Sequence, residues 1–279
     1  MSQQLTAAQQ IFFDESVKLA YQNGGLLRKF VRYRTGFTGS SVSFRRYGRG
    51  QARIHLPNQR PTPMSATLAP VSCPVRPWRA ADYIDQSEML TVNFDEKPIV
   101  ANNAGMAIGR REDQMLIDAM DAAINPATIA HGGTGMDAAK LRRVNRFFSA
   151  RGVPRGDRTL AISAAQEEDI LAILTANSRA DVDEQAEREG TVGRRYGLNI
   201  VVIEDRAGRE GGLPLSGTTR TCFAFDRQAV GLASNLTEGP VVTWMAPERS
   251  WLVDQMMQAG ACVIDPDGVL EIQCTEALI

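Results

Sequence analysis

The run DEKPIVANNAGMAIGRREDQMLIDAMDAAI, Asp95 to Ile124, decides how the rest of the chain is read. It predicts one long helix. Asp95 is a capping residue, and Glu96 puts negative charge in the first turn, where the helix dipole favours it. Pro98 falls where a missing N–H costs little. Asn125-Pro126 ends the run, because the residue before a proline is pushed out of the helical region. Ala101, Gly105, Ile108, Met115, Ala119 and Ala123 step by 4, 3, 7, 4 and 4 along one face. Asn103, Arg110, Gln114 and Asp121 form the opposite stripe. Glu112 interrupts the apolar face, and Ile117 sits on the polar one. At 1.5 Å per residue the rod is about 40 Å long, enough to lie across a sheet and touch a neighbouring chain. An ordinary long core helix has the same pattern.

Upstream of this helix the charge is one-sided. From Ser16 to Ala81 there is no Asp or Glu, and the same 66 residues carry ten Arg and two Lys. The remainder holds 19 basic and 32 acidic residues, a balance of −13, although the whole chain of 279 residues is at −1. Such a basic third binds either nucleic acid or an acidic surface on another copy. The excess of arginine, whose planar fork suits fixed carboxylate contacts, favours the second reading, although the same fork suits phosphate. The predicted inter-subunit contacts are therefore Arg28, Arg32, Arg34, Arg45, Arg46, Arg49, Arg53 and Arg60.

Residues 5–22, which run into the start of the basic third, have the pattern of an amphipathic helix stopped by Asn23-Gly24-Gly25. Together with Leu26–Arg34 they make an arm. From Gly36 to Pro77, glycines and prolines punctuate short alternating runs at Ser41–Tyr47, Ala52–Leu56 and Ala66–Val71, the strands of an extended hairpin. It holds too few large apolar residues for its own core. It is either a flexible loop or an arm that becomes ordered on a partner.

Beyond the long helix, His131-Gly132-Gly133-Thr134-Gly135 lacks phosphate-loop spacing and reads as a flexible connector. Met136–Arg151 is helical and Thr159–Ile162 a buried strand. Ser163-x-x-Gln166 is a capping box opening a helix to Asn177, and Leu198–Ile203 is a strand: an α/β unit. Thr221–Phe225 reads as a strand, Asp226–Ser234 as a short helix and Val241–Ala246 as a strand. Trp251–Ile264 fits helix or strand. Asp265-Pro266-Asp267-Gly268 is a turn, and Val269–Cys274 with Cys262–Ile264 makes a hairpin.

Chemical motifs are scarce. There is no GxSxG, GxGxxG or metal-ligand spacing, and Glu167, Glu168 and Asp169 read as a solvated helix face. Only His55 and His131 are present, and Cys73, Cys222, Cys262 and Cys274 are scattered as reduced thiols. No catalytic residue, metal or cofactor is expected. The N-terminus does not read as a secretory signal, and no run approaches the roughly 20 apolar residues of a membrane span.

The order of parts, with "LAISAAQEEDIL" (Leu160–Leu171), "GRRYGLNIVVIED" (Gly193–Asp205), "LPL…TRTCFAFDRQAVGLAS" (Leu213–Ser234) and "GACVIDPDGVLEIQC" (Gly260–Cys274), resembles the tailed-phage major capsid proteins of the Hong Kong 97-type fold. The resemblance covers about Trp78 to Cys274 by motif and residues 1–77 by architecture. It implies an α+β chain with an N-terminal arm (1–35), an E-loop hairpin (36–82) and a P-domain (83–135) around the spine helix 95–124. An A-domain (136–235) follows, and 236–279 return to the P-domain, making Trp251–Ile264 a strand. It further implies a structural, non-enzymatic protein that self-assembles into hexamers and pentamers of an icosahedral shell around double-stranded DNA, contacted non-specifically. Such a protein is made in the host cytoplasm and ends in the virion, without a membrane.

Two departures matter. Residues 36–81 hold no lysine, so no E-loop lysine cross-link is expected. No long N-terminal segment of the built-in scaffold kind is seen either, which leads to the expectation of a separate scaffolding protein beside the portal, and leaves room for a cementing protein. Two other readings stay open: an encapsulin-like nanocompartment shell, and a nucleic-acid-binding protein using the basic segment 28–60.

Overall fold

The computed structural model describes residues 24–54, 57–58, 60, 63–64, 66–89, 96–123, 127–177, 193–204, 210–236 and 240–276. The helix expected at 5–22, the cap at Asp95 and the stop at Asn125-Pro126 lie outside these residues.

The basic third is tied to the body at its start. Leu27–Phe30 form a 3-10 turn, and β1 (Arg32–Arg34) follows. Then β2 (Ser41–Tyr47) pairs antiparallel with β3 (Leu68–Pro74), Ser41 opposite Pro74 and Tyr47 opposite Leu68. The chain leaves the hairpin into β4 (Arg76–Asp85), the short α1 (Gln86–Met89) and the long α2 (Lys97–Asp121). Next come β5 (Ala127–Ile129), α3 (Ala138–Ala150), β6 (Arg158–Ser163) and α4 (Ala164–Asn177). They are followed by β7 (Arg194–Arg195), β8 (Leu198–Ile203), β9 (Leu215–Ser216) and β10 (Thr219–Asp226). The last strands are β11 (Val230–Leu236), β12 (Val241–Met245), β13 (Ser250–Val263) and β14 (Val269–Thr275).

Two sheets organise the body. The first, of five strands, runs β1-β11-β13-β12, with β4 also on β13; the second, of seven, runs β5-β14-β10-β6-β8-β7, with β9 on β10. The main core lies under the second sheet, where Leu141, Val144 and Phe148 of α3 meet Leu160, Ile162, Phe223, Phe225 and Ile272. The α/β unit is held locally as the sequence suggests. Asp137 caps α3 by accepting from the Lys140 N–H at 2.7 Å, and Gln166 Oε1 accepts from the Ser163 N–H at 3.2 Å.

The long helix has 25 residues, about 37 Å. Its buried residues are Ala104, Ile108, Glu112, Asp113, Leu116, Ile117 and Met120, a wider arc than the single stripe in the sequence. The reason is double packing. Ile108 and Met115 meet Trp78, Ala80, Met257 and Ala259 of the first sheet, while Leu116, Ile117 and Met120 enter the main core. Ile117, placed on the polar side by periodicity, is fully buried. Glu112, the interruption, accepts the Ser234 hydroxyl, and Arg28 lies 3.8 Å from its other oxygen.

Four further sequence expectations are corrected. Asp226–Ser234 is not a helix: Asp226 accepts the Gln228 and Ala229 N–H groups in a turn, and β11 follows. Its Val230 and Leu232 face the main core and Ala233 the hairpin, so burial on both sides hides the alternation of a strand. Val269–Cys274 does not form a hairpin with Cys262–Ile264. The turn at Asp265–Gly268 passes the chain from the first sheet to the second, where β14 pairs with β10 and β5. The segment His131–Gly135 is no free connector, since buried Lys140 donates to the Thr134, Gly135 and Gln273 carbonyls at 2.8, 2.7 and 3.1 Å. Asp169 is not merely solvated either: it accepts the Met136 N–H at 2.7 Å.

Candidate assembly interface

The feature with least support from its own body is the outer part of the β2–β3 hairpin. Its base is anchored. Val42, Phe44 and Cys73 are buried with Ala233 and Ile264, and Phe37, Val75 and Cys262 pack around them. Gly260 on β13 lets the strand end come close: a Cβ there would overlap the Pro74 carbonyl. Past Tyr47 and before Leu68 no described residue belongs to a buried cluster, although Arg49 still reaches the body. Tyr47, Ile54, Met64 and Leu68 are exposed, Ile54 at 93%. Exposed apolar side chains carried on a hairpin are only partly covered at home and invite a partner.

The eight arginines fall into two groups. Arg28 stacks over Tyr33, donates to its hydroxyl and faces Glu112. Arg32 lies over the Phe44 ring, and Arg34 donates to the Ser43 carbonyl at 3.1 Å. Arg46 pairs with Asp265 at 2.9 Å and Asp267 at 3.7 Å, and Arg49 donates to the Arg151 carbonyl. These five thus have partners within their own chain. The other three, Arg45, Arg53 and Arg60, are exposed and have no ion pair among the described residues.

The acidic partners of Arg46 come from the Asp-Pro-Asp-Gly turn, recognised in the sequence only as a turn. There the Asp265 side chain also accepts the Asp267 N–H at 3.1 Å, and Arg151 Nε lies 3.3 Å from Asp267. Nothing in the spacing of Arg46 and Asp267 foretells this contact; it follows from the turn lying at the join of the two sheets, beneath the hairpin. Close by, Asp226 is buried, and burial raises its pKa.

A second surface lies on the first sheet. Tyr83 and Leu252 are paired neighbours, as are Ala81 and Asp254, and Asp254 and Val241. Tyr83, Val241 and Met256 are exposed on this face, while Val253, Met257 and Ala259 are buried on the other. Asp254 holds Arg79 at 2.6 Å, and that pairing raises the Arg79 pKa. Among the described residues, no group of three or more His, Cys, Asp or Glu is placed to hold a metal ion, and no helix is long and apolar enough to cross a membrane.

The geometry thus combines a projecting hairpin, a long helix between two sheets and a sheet face with apolar side chains in solvent. Solved structures share the arrangement. The capsid of cyanophage P-SCSP1u superposes with a TM-score of 0.68 at 17% identity, over 95% of this chain and 92% of that one. A chain of Mycobacterium phage Che8 gives 0.69 at 13% identity, over 93% and 95%. The capsid of the native GTA particle gives 0.67 at 12%, over 97% and 98%. No curated protein matches in sequence. The family model described as phage capsid protein, however, matches residues 5–276. The chain therefore belongs to the phage capsid protein family and has the α+β Hong Kong 97-type fold of tailed-phage major capsid proteins.

Proposed function

We propose that this chain builds the head shell of a tailed double-stranded DNA phage, assembling as hexamers and pentamers of an icosahedral capsid. The observation that carries the reading is the outer hairpin: Tyr47, Ile54, Met64 and Leu68 stand in solvent on the same hairpin as Arg45, Arg53 and Arg60, which have no ion pair among the described residues. In this reading 36–82 is the E-loop, laid on an adjacent copy. Residues 1–35 form the arm, 83–135 the P-domain, 136–235 the A-domain and 236–279 the return. A hairpin that gains its burial only between copies makes folding and assembly partly the same event. Each contact is modest, and a closed shell repeats it many times. The role is structural and not enzymatic. Assembly takes place in the host cytoplasm, with a separate scaffolding protein and a portal and with room for a cementing protein, and the shell meets packaged DNA without reading its sequence.

The test is size-exclusion chromatography and negative-stain microscopy of the full chain, alone and co-expressed with the phage's other head proteins. Closed shells are expected, and they should disappear when 48–67 are replaced by a short turn while the body still folds. A chain that stays monomeric in both settings and binds duplex DNA with strong salt dependence overturns the proposal. DNA inside shells recovered from phage-producing cells separates a genome container from a protein compartment.

A further inference from the structure

Away from the hairpin, two arginines carry positive charge that the fold leaves unbalanced. Arg158 opens β6 and is 1% exposed, though it lies close under the surface. Its Nε donates to the Pro154 carbonyl at 2.9 Å, Nη2 to the Val153 carbonyl at 2.6 Å and Nη1 to Asn145 Oδ1 at 3.2 Å. Both Nη atoms also lie 3.5 Å from Ser149 Oγ. Every one of these acceptors is neutral. Asp226 stands opposite Arg158 in the β6–β10 ladder and Asp157 precedes it in the chain, yet neither forms an ion pair with it. A guanidinium keeps its proton, so the covered charge stays in place at a cost in stability. Arg155, three residues earlier, is exposed, and its side chain has no ion pair or hydrogen bond among the described residues.

Both arginines line one cleft of about 360 Å3, together with Asn145, Ser149, Tyr196 and Gly197. Its walls are braced against each other. Asn145 Nδ2 donates to the Tyr196 carbonyl at 2.6 Å, and Arg194 Nη2 donates to the Arg155 and Gly156 carbonyls at 2.9 and 3.3 Å. Tyr196 and Gly197, with φ of +51° and +75°, make the tight turn between β7 and β8 that forms the rim. Burial, and after it the like charge of Arg155, lowers the Arg158 pKa. Stapling the 151–157 loop accounts for the hydrogen bonds of Arg158. It does not account for a second cation set against the first in the same cleft. Ser149 Oγ faces Arg158 as an acceptor, which leaves its own proton to donate into the cleft.

We propose that the cleft between α3, β6 and the β7–β8 turn is a binding site for a small dianionic oxyanion, free phosphate, held by Arg155 and Ser149 over the charge of Arg158. The phosphate oxygens accept from the Arg155 guanidinium and the Ser149 hydroxyl, and Arg158 adds its field from behind. A dianion balances two guanidinium charges, whereas acetate or chloride balances one. All the residues belong to a single chain, so phosphate binding and shell formation are read independently of each other.

The test is calorimetric titration of sodium phosphate into the full chain, dialysed free of phosphate and held at constant ionic strength. One ion per chain is expected, with a Kd of about 1 mM or tighter. Sulfate should bind alike, and acetate about tenfold more weakly or worse. Arg155→Ala should weaken phosphate about tenfold through loss of a charge-assisted contact, with a melting temperature in phosphate-free buffer no lower than the wild type's. Arg143→Ala, on α3 but outside the cleft, should leave the affinity as it was. Arg158→Met should abolish binding; if that chain does not fold, Arg155→Ala decides. Absence of saturable heat, equal affinity for acetate, or full affinity in Arg155→Ala overturns the proposal. So does displacement of phosphate by a DNA duplex without terminal phosphates, which assigns the cleft to a nucleic-acid surface instead.

Discussion

Gly109→Ala sets two opposed effects against each other. In a helix interior, alanine is favoured over glycine by about 1 kcal/mol, so propensity alone predicts stabilisation. The contacts predict the reverse. Gly24 and Gly25 cross α2 at Gly109 with backbone against backbone; a Cβ on Gly109 would overlap the Gly24 carbonyl, and one on Gly25 would lie 2.8 Å from the Gly109 oxygen. Gly25 also has φ of +97°. No flexible side chain is available to swing aside. Either helix and segment move apart, an overpacking cost of about 1–3 kcal/mol, or the segment peels away. Peeling breaks the bonds from the Leu26 and Leu27 N–H groups to Asp113, at 2.7 and 3.0 Å. Each N–H bond to a charged acceptor contributes about 1.5–3 kcal/mol. It also exposes Leu27, fully buried here, at about 2–3 kcal/mol. Regained chain freedom of about 1–2 kcal/mol per released residue offsets part of that. After the propensity gain of about 1 kcal/mol is subtracted, moving apart costs about 0–2 kcal/mol and peeling away costs more, so a net loss of about 1–2 kcal/mol is expected. Gly105→Ala is the control: its Cβ would meet only Gln255 Oε1, at 3.5 Å, an ordinary contact. Urea unfolding followed by tryptophan fluorescence should rank Gly105→Ala at or above the wild type and Gly109→Ala well below it. Equal or greater stability of Gly109→Ala would refute the account of this crossing.

Burial raises the Asp113 pKa to about 6 against an ordinary 3.8, despite its two N–H bonds. Between those values the folded chain holds the extra proton, so stability should fall by about 3 kcal/mol as pH rises from about 4 to 6 and then level off. Asp113→Asn should flatten that slope in urea titrations at pH 4.5 and 7.5. Glu276 meets Arg220 through two bonds of 2.7 Å, with the arginine 5% exposed. Glu276→Ala should cost about 3–5 kcal/mol by stranding a buried charge, read as a lower melting temperature. Lys140→Met keeps the length of the chain but takes one donor from each of three carbonyls, of which Thr134's still accepts the Thr275 N–H; a loss of about 2–4 kcal/mol is expected, with faster amide exchange across His131–Met136.

How much of this was legible in the sequence depends on whether a signal was local. Strand β2 begins and ends where alternation places it, because one face alone is buried. The Ser163 capping box and the Asp265–Gly268 turn are bonds among residues a few positions apart, and the sequence carries them whole. Ile117 and Val230 were misread for one reason: each element is buried on two sides, and double burial erases the periodicity that a single face would write. The arginines were legible as a group and not one by one. Charge composition marks the basic third, but Arg46 finds Asp265 only because the turn at the sheet junction lies beneath the hairpin. The shared cluster of Cys73 and Cys262 likewise depends on the third dimension.

The ten ladder positions joining β4 to β13, from Arg76 opposite Ala259 to Asp85 opposite Ser250, have a mechanical meaning. Tension arriving along the hairpin enters the body at Arg76, in line with the strand. Ladder bonds stand perpendicular to the strands, so a lengthwise pull loads them together in shear instead of peeling them singly. β13 passes that load sideways to β11 and β12. The longest strand among the described residues thus works as a tie-bar, and the hairpin can be pulled hard without unravelling the body behind it.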